Sequence, residues 1–367
     1  MFISPCTPDP QGTGWEQRAF AFLSAYSKFM DVELWFTPTN DNPELRRIVK
    51  LVHHCASIRA FYPAVIDDPR SPLRRSLGDA LAISDVVHVF RMHQLVALIS
   101  HRFMVWDIDE WPWRKLHETS GNLQRDTAER YSICFRKCRL VFASSDAEKH
   151  QANHDGIVVI PNIAHVVESV DSELIEKRAT LLFVGNLNYP PNIEALMFLD
   201  DSILPELARL IDNAVVNVIG RSPTGKGARA AVERLRDTGR FRFVFDPPSC
   251  RLYYLQAAAA IVPIRIGGGT RIKIIEAFGN RCPVISTTKG CEGLGVAHRK
   301  QLLIADSPED FAAACAELLR SPEAATQMTN SAYTFFEHGH SQKVVDRLIV
   351  SAIEALFQTR NMAQGRE

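Results

Sequence analysis

The chain is short of several things that would identify it quickly. It has no net charge, with 42 Lys and Arg against 42 Asp and Glu. A protein that works on nucleic-acid backbone usually carries a basic excess, so no nucleic-acid partner is expected. No apolar run approaches the roughly 18 residues of a membrane span. The longest covers residues 257–264. Residues 1–10 lack a basic region followed by an apolar stretch, so no secretory signal is expected. The eight cysteines (Cys6, Cys55, Cys134, Cys138, Cys250, Cys282, Cys291 and Cys315) include no C-x-x-C pair. Without an export signal they read as reduced thiols of a cytoplasmic protein. Cys134 and Cys138 share a helix face, but two ligands without partners at finger spacing make no zinc site. They read as small buried hydrophobes. No GxxxxGK[ST] loop occurs, and neither half opens with a strand running into G-x-G-x-x-G, which disfavours an NAD-type oxidoreductase.

What is present is ordinary globular composition: 46% hydrophobic and 23% charged residues over 367 positions, enough for two domains. Helical and strand periods alternate throughout. In the first half, helices are expected at residues 15–26 and 126–136 and from about 146. Strands are expected at 31–36, 85–90, 103–108, 140–144 and 156–160. Ser144 or Ser145 would cap the helix from 146. In the second half, strands are expected at 179–184, 214–219, 241–245, 258–264, 283–286 and 302–305. Helices are expected after Pro191 (with Asn192 as a cap), at 270–278, 310–319 and 344–357. Continuous apolar strands separated by helices mean parallel sheets covered on both faces. The expected fold class is therefore α/β, with two Rossmann-like doubly wound domains. The polar stretch 165–177 marks the boundary. We divide the chain into 1–165, a linker 166–178, 179–340, and a last helix within 341–367.

The most informative segment is PIRIGGGTRIKIIEAFGNRCPVIS, residues 263–286. A buried strand runs into Gly267, Gly268 and Gly269, then Thr270 and a helix. Glycine lets backbone approach a ligand closely. The helix N-terminus beyond offers unpaired N–H groups and partial positive charge, which suits a phosphate or diphosphate. Arg271 and Lys273 add full positive charge where a helix disfavours it, a placement that an anion would repay. Glu276 lies on the same face as Lys273, and its carboxylate can accept from a ribose diol. The plain alternative is a tight turn with solvated charges.

These residues resemble the donor domain of GT-B glycosyltransferases of the family 4 type. The matching blocks are FVGNLNYPPNIEAL from Phe183, VIGRSP from Val218, FVFDPPSCRLYYLQAA from Phe243 and VPIRIGGGTRIKIIEAFGNRCPVIST from Val262. KGCEGL from Lys289 and LLIADSPEDFAAA from Leu302 complete them. Their order and spacing agree over roughly residues 179–320. The first half is similar more weakly, through GTGWEQRAFAFLSAYSK, DVVHVF, VFASSDAEK and VVIPN.

The resemblance implies a GT-B fold whose two domains face a cleft. It also implies a nucleoside diphosphate sugar bound by the second domain as donor substrate, with no cofactor and no metal. Glu276 matches the second glutamate of the family's E-x7-E motif, which contacts the ribose. The first glutamate falls on Gly268, so backbone N–H groups of residues 268–270 are the nearest substitutes for its contact with the sugar. The lysine usual in the turn after the first donor-domain strand is absent, since that turn reads Tyr189, Pro190, Pro191, Asn192. Arg271, Lys273 and Arg221 are then the candidate cations, and Gly185, which ends that strand, joins the donor set. Such cations stabilise the charge that builds on a leaving diphosphate.

Gly12 and Gly14 fall in the loop resembling the family's glycine-containing acceptor loop. His88 and His93 lie in or just after DVVHVF, where a core or surface role competes with an acceptor role. Asp107, Asp109 and Glu110 end a strand on the side where such sheets bind ligands, and at least one could face the acceptor. Asp107-x-Asp109 spells DxD without the context of a metal-using transferase. Residues 111–115 (WPWRK) either cover a loop base, stack on a sugar or meet a membrane surface.

The expectation is a retaining, metal-independent glycosyltransferase of glycan or polysaccharide assembly, cytoplasmic or peripheral at the inner membrane face. Its acceptor would be a glycan, a lipid-linked compound or a small molecule. The competing expectation is a catalytically weakened relative that binds nucleotide sugar or a protein partner, and Gly268 is what keeps it open.

Overall fold

A computed structural model describes residues 1–10, 12, 14–37, 55–60, 72–109, 122–152, 156–164, 178–212, 214–267, 271–321 and 325–364. The chain forms two compact units, Met1–Ile163 with Gln342–Glu367, and Ala164–Ser341.

The first unit holds a parallel sheet of seven strands: β1 (Phe2–Ser4), β2 (Val32–Phe36), β3 (Cys55–Ala60), β4 (Val87–Phe90), β5 (Met104–Asp109), β6 (Leu140–Ala143) and β7 (Ile157–Val159). Their order is β3-β2-β1-β4-β5-β6-β7. The chain winds outward from β1 in both directions, so the order reverses between β1 and β4. β1 shows no period in the sequence. Three residues are too few for one, yet Phe2, Ile3 and Ser4 are fully buried between β2 and β4. β3 likewise lies outside the strands expected from periodicity.

Helix Gly14–Tyr26 lies on one face. Phe22 and Tyr26 there meet Phe2 and His88, and Phe22 stacks on Phe142. The C-terminal helix Gln342–Gln364 adds Val345, Ile349, Ile353 and Leu356 to the same core. It begins two residues before the expected 344–357 and runs past its end.

One polar cluster is built into this core. Arg18, 2% exposed, directs its guanidinium at Asp107, with Nε to Oδ2 at 3.0 Å. Its Nη1 donates to the Ile160 carbonyl at 2.7 Å and to Asn162 Oδ1 at 3.0 Å. A buried ion pair persists only with its remaining hydrogen-bonding capacity filled. Here helix Gly14–Tyr26, β5 and the chain leaving β7 supply the partners.

The second unit holds a parallel sheet of six strands: β8 (Arg178–Val184), β9 (Val216–Gly220), β10 (Phe241–Phe245), β11 (Ala257–Val262), β12 (Val284–Ser286) and β13 (Leu303–Ile304). The order is β10-β9-β8-β11-β12-β13. All six residues of β11 are buried, as a central strand covered on both faces requires. The chain moves from β8 to β9 and β10 on one side, then returns to β11 on the other. The order reverses between β8 and β11, which is where open α/β sheets bind ligands beyond their carboxyl ends.

Candidate functional site

Three segments meet at that reversal. The first is the turn after β8. Gly185 there donates its backbone N–H to the Ile219 carbonyl at 2.9 Å. The second is the end of β9 at Gly220, which passes so close that an added Cβ would lie 1.9 Å from the Gly185 carbonyl oxygen. No side chain fits between these strand ends. The third is Gly267, beyond β11, with φ of +96°. A Cβ there would be strained by its backbone angle and would lie 2.9 Å from the Tyr189 hydroxyl and 3.0 Å from Pro191 Cγ. The three glycines are therefore required by close packing where the ends of β9, β8 and β11 approach one another. Gly268, Gly269 and Thr270 lie outside the described residues.

Helix Ile272–Gly279 follows. Arg271 is its N-cap, 7% exposed, so the helix starts two residues after the expected 270. Lys273 points from the first turn back beneath the β8 turn. Its Nζ donates to Asn192 Oδ1 at 2.8 Å and sits 4.4 Å from the Phe183 ring centroid. An added Cβ on Gly185 would lie 3.1 Å from this Nζ. Burial, then the neighbouring Arg271 charge, lowers the ammonium pKa to about 7, and Glu276 opposes the shift. A lysine held by a neutral amide and an aromatic face is a cation prepared for an anion.

Asn192 is not the helix cap expected of it. Helix Pro190–Phe198 starts with two prolines after Tyr189 as N-cap, because proline lacks the N–H that a first turn leaves unpaired anyway. Asn192, inside that turn, is used differently. Its Nδ2 donates to the Asn186 carbonyl at 2.8 Å and its Oδ1 holds Lys273, which ties the β8 turn to the helix.

Glu276 is half-buried one turn along the helix from Lys273. It accepts from the Tyr254 hydroxyl at 3.0 Å through Oε2. Tyr254, 2% exposed, comes from the short helix Arg251–Gln256 that leads into β11. Its phenol pKa is well above the ordinary value, through burial first and Glu276 second. Arg221 follows Gly220 at the same edge and is half-buried. The turns there are braced by Asn188 Oδ1, which accepts from the Thr224 N–H at 2.7 Å, and by Asp246, which accepts from the Ser222 N–H at 3.2 Å. Gly185, Arg221, Gly267, Arg271, Lys273 and Glu276 thus share the carboxyl edge of one sheet. Phe183, Asn192 and Tyr254 join them. Spacing alone assigns none of these three to the site, since the phenol and the amide reach it across the tertiary fold.

In the first unit, Gly12 lies in the turn ahead of helix Gly14–Tyr26, where its carbonyl accepts from Gln17 Nε2 at 3.0 Å, and Gly14 opens the helix. His93 opens helix His93–Leu98 just beyond β4, its ring 4.9 Å from that of Tyr131. His88 is a core residue. Its Nδ1 lies 2.8 Å from the Tyr26 hydroxyl, and burial holds its pKa well below the ordinary value. Asp107 does not face an acceptor, because it is fully buried against Arg18. Asp109 closes β5. Glu110 and residues 111–115 lie outside the described residues. Among the described residues, no group of three or more His, Cys, Asp or Glu side chains converges as metal ligands. No described helix is long and apolar enough to cross a membrane.

A curated relative, an uncharacterized 44.6 kDa protein in the cps region of Klebsiella pneumoniae, is 24% identical over 172 residues. The match covers 46% of this chain and 44% of that protein, so the chain spans less than half of the relative's length. Among solved structures, Anabaena Alr3699/HepE in complex with UDP superposes with a TM-score of 0.71 at 13% identity, over 96% of this chain and 99% of that one. The sucrose-phosphate synthase of Thermosynechococcus elongatus gives 0.66 at 16% identity, over 98% and 100%. Residues 178–321 match the model of the family described as glycosyl transferases group 1. The chain therefore has the two-domain α/β fold of GT-B glycosyltransferases, and its second unit carries the stretch that matches that family.

Proposed function

We propose that the protein is a glycosyltransferase that takes its sugar from a nucleoside diphosphate sugar, with uridine as the nucleoside. The observation that carries this reading is the convergence of Gly185, Gly220 and Gly267 with Lys273 and Arg271 at the strand-order reversal. Glycine turns beside a helix N-terminus, with one buried and one half-buried cation, are the parts a diphosphate site needs. The UDP complex of Anabaena HepE supports uridine as the nucleoside. The gene region of the Klebsiella relative supports a place in polysaccharide assembly.

In this reading Glu276 accepts from the ribose hydroxyls, while Arg271 and Lys273, with Arg221 as a third cation, neutralise the leaving diphosphate. Gly267 lies beside its oxygens. The resemblance to family 4 supports retention of configuration. The acceptor belongs to the carboxyl edge of the first sheet, where Gly12, Gly14, His93 and Asp109 lie. A second reading is favoured by one observation, the glycine at 268: a protein that binds nucleotide sugar and turns it over poorly.

Hydrolysis of UDP-sugars, assayed with and without EDTA, tests the proposal. Breakage of the glycosyl–phosphate bond that survives EDTA supports it. The double change Arg271→Ala, Lys273→Ala should lower turnover as well as donor binding, because these cations meet more charge in the transition state than in the bound donor. Unaltered turnover in the double variant would refute their role. UDP binding without any hydrolysis or transfer would favour the second reading.

A further inference from the structure

Glu276 is exposed enough to meet a ligand, but a free glutamate side chain has three rotatable bonds and would lose much of its reach as entropy. The structure removes that freedom from below. The Tyr254 hydroxyl stands 3.0 Å from Glu276 Oε2 and 3.2 Å from the Lys273 carbonyl oxygen. The ring that carries it is 2% exposed and belongs to the core cluster of the second unit. A phenol with one proton and two acceptors in reach favours the carboxylate, since a charge-assisted bond is the stronger. The phenol's position is set by core packing, and the phenol anchors one oxygen of the carboxylate.

We infer that Tyr254 is the positioning residue of the ribose contact: it holds Glu276 by Oε2 so that the carboxylate presents Oε1 to the ribose hydroxyls of a bound nucleotide. Tyr254 touches no ligand itself. It acts through Glu276, and the inference rests on the nucleotide-binding reading above. Its signature is selective, since loss of the hydroxyl should weaken recognition of the ribose diol and leave the rest of the nucleotide site alone.

The full chain is titrated calorimetrically with UDP and with 2′,3′-dideoxy-UDP, as wild type, Tyr254→Phe, Glu276→Gln and the double variant. Wild type is expected to prefer UDP by about tenfold, the scale of a hydrogen bond to a charged group. Tyr254→Phe should cut that preference to about threefold or less, with affinity for the dideoxy analogue within about twofold of wild type. In the Glu276→Gln background, Tyr254→Phe should change nothing further. Equal weakening toward both nucleotides would show a merely structural tyrosine and overturn the inference. So would an undiminished preference in Tyr254→Phe when Glu276→Gln has lost it, and there the ribose reading itself would stand. No preference in wild type would overturn both readings together. Should Tyr254→Phe not fold alone, the double variant is compared with Glu276→Gln: unchanged affinity for both nucleotides supports the inference, and equal weakening toward both overturns it.

Discussion

Replacing Lys273 by methionine should change how the second unit's stability depends on pH. The ammonium is enclosed by Asn192, Phe183 and the β8 turn, and its pKa is lowered to about 7 from the ordinary 10.5, mainly by burial. The unfolded chain keeps its proton up to the ordinary value. Between these two pH values the unfolded state therefore binds more protons, and stability rises with pH. Below about pH 7 both states are protonated and the slope vanishes. One pKa unit corresponds to about 1.36 kcal/mol, so this group contributes about 2 kcal/mol of added stability between pH 6.5 and 8.5. Solvent reaching the half-buried side chain makes that an upper figure. Methionine fills a similar volume and does not titrate. Urea unfolding followed by circular dichroism at a series of pH values reads the difference between wild type and Lys273→Met. The variant should be more stable than wild type at pH 6.5, with the gap closing toward pH 8.5. A gap independent of pH would show that the ammonium is well solvated and that the account of Lys273 is wrong.

A diphosphate placed beside Lys273 should restore its proton. UDP binding at pH 8 should therefore take up a proton, visible as a binding enthalpy that scales with the buffer's ionisation enthalpy, and Lys273→Met should abolish the scaling. Gly220→Ala forces a Cβ onto the Gly185 carbonyl oxygen and should destabilise the second unit by about 1–3 kcal/mol, read as a lowered thermal midpoint. An unchanged midpoint would mean the strand ends are not in contact. Asp107→Ala leaves Arg18 charged and buried and should cost about 3–5 kcal/mol. All five tryptophans lie within the sequence of the first unit, so fluorescence during urea unfolding reports that loss. A shift below about 1 kcal/mol would show that the pair is solvated.

Much of the second unit is legible in the sequence, for physical reasons. β8, β9 and β11 are central strands, so their apolar runs are nearly continuous, and glycines follow where the turns require them. The segment from Pro263 to Ser286 joins strand, glycine turn and helix within one stretch, so its chemistry can be read locally. Other features depend on tertiary distance. Tyr254 is 22 positions from Glu276 and Asn192 is 81 from Lys273, and neither pairing leaves a period in the sequence. Asn192 reads as a cap because asparagine favours that position, but two prolines start the helix ahead of it. Asp107 reads as available for an acceptor because it sits at a strand's carboxyl end. Only the fold shows that Arg18, 89 positions away, consumes it. β1 is three residues of core with no room for a pattern.

The nucleoside diphosphate site proposed above lies where β8, β9 and β11 end, with Gly185, Gly220 and Gly267 near Lys273. Amide hydrogen exchange of the full chain with and without saturating UDP locates the ligand directly. Slowed exchange is expected in peptides spanning residues 185–192, 219–224 and 265–277, with the core of β13 and the outer turns of helix Gln342–Gln364 unchanged. Absence of any UDP effect, or protection confined to segments away from those three strand ends, would contradict it.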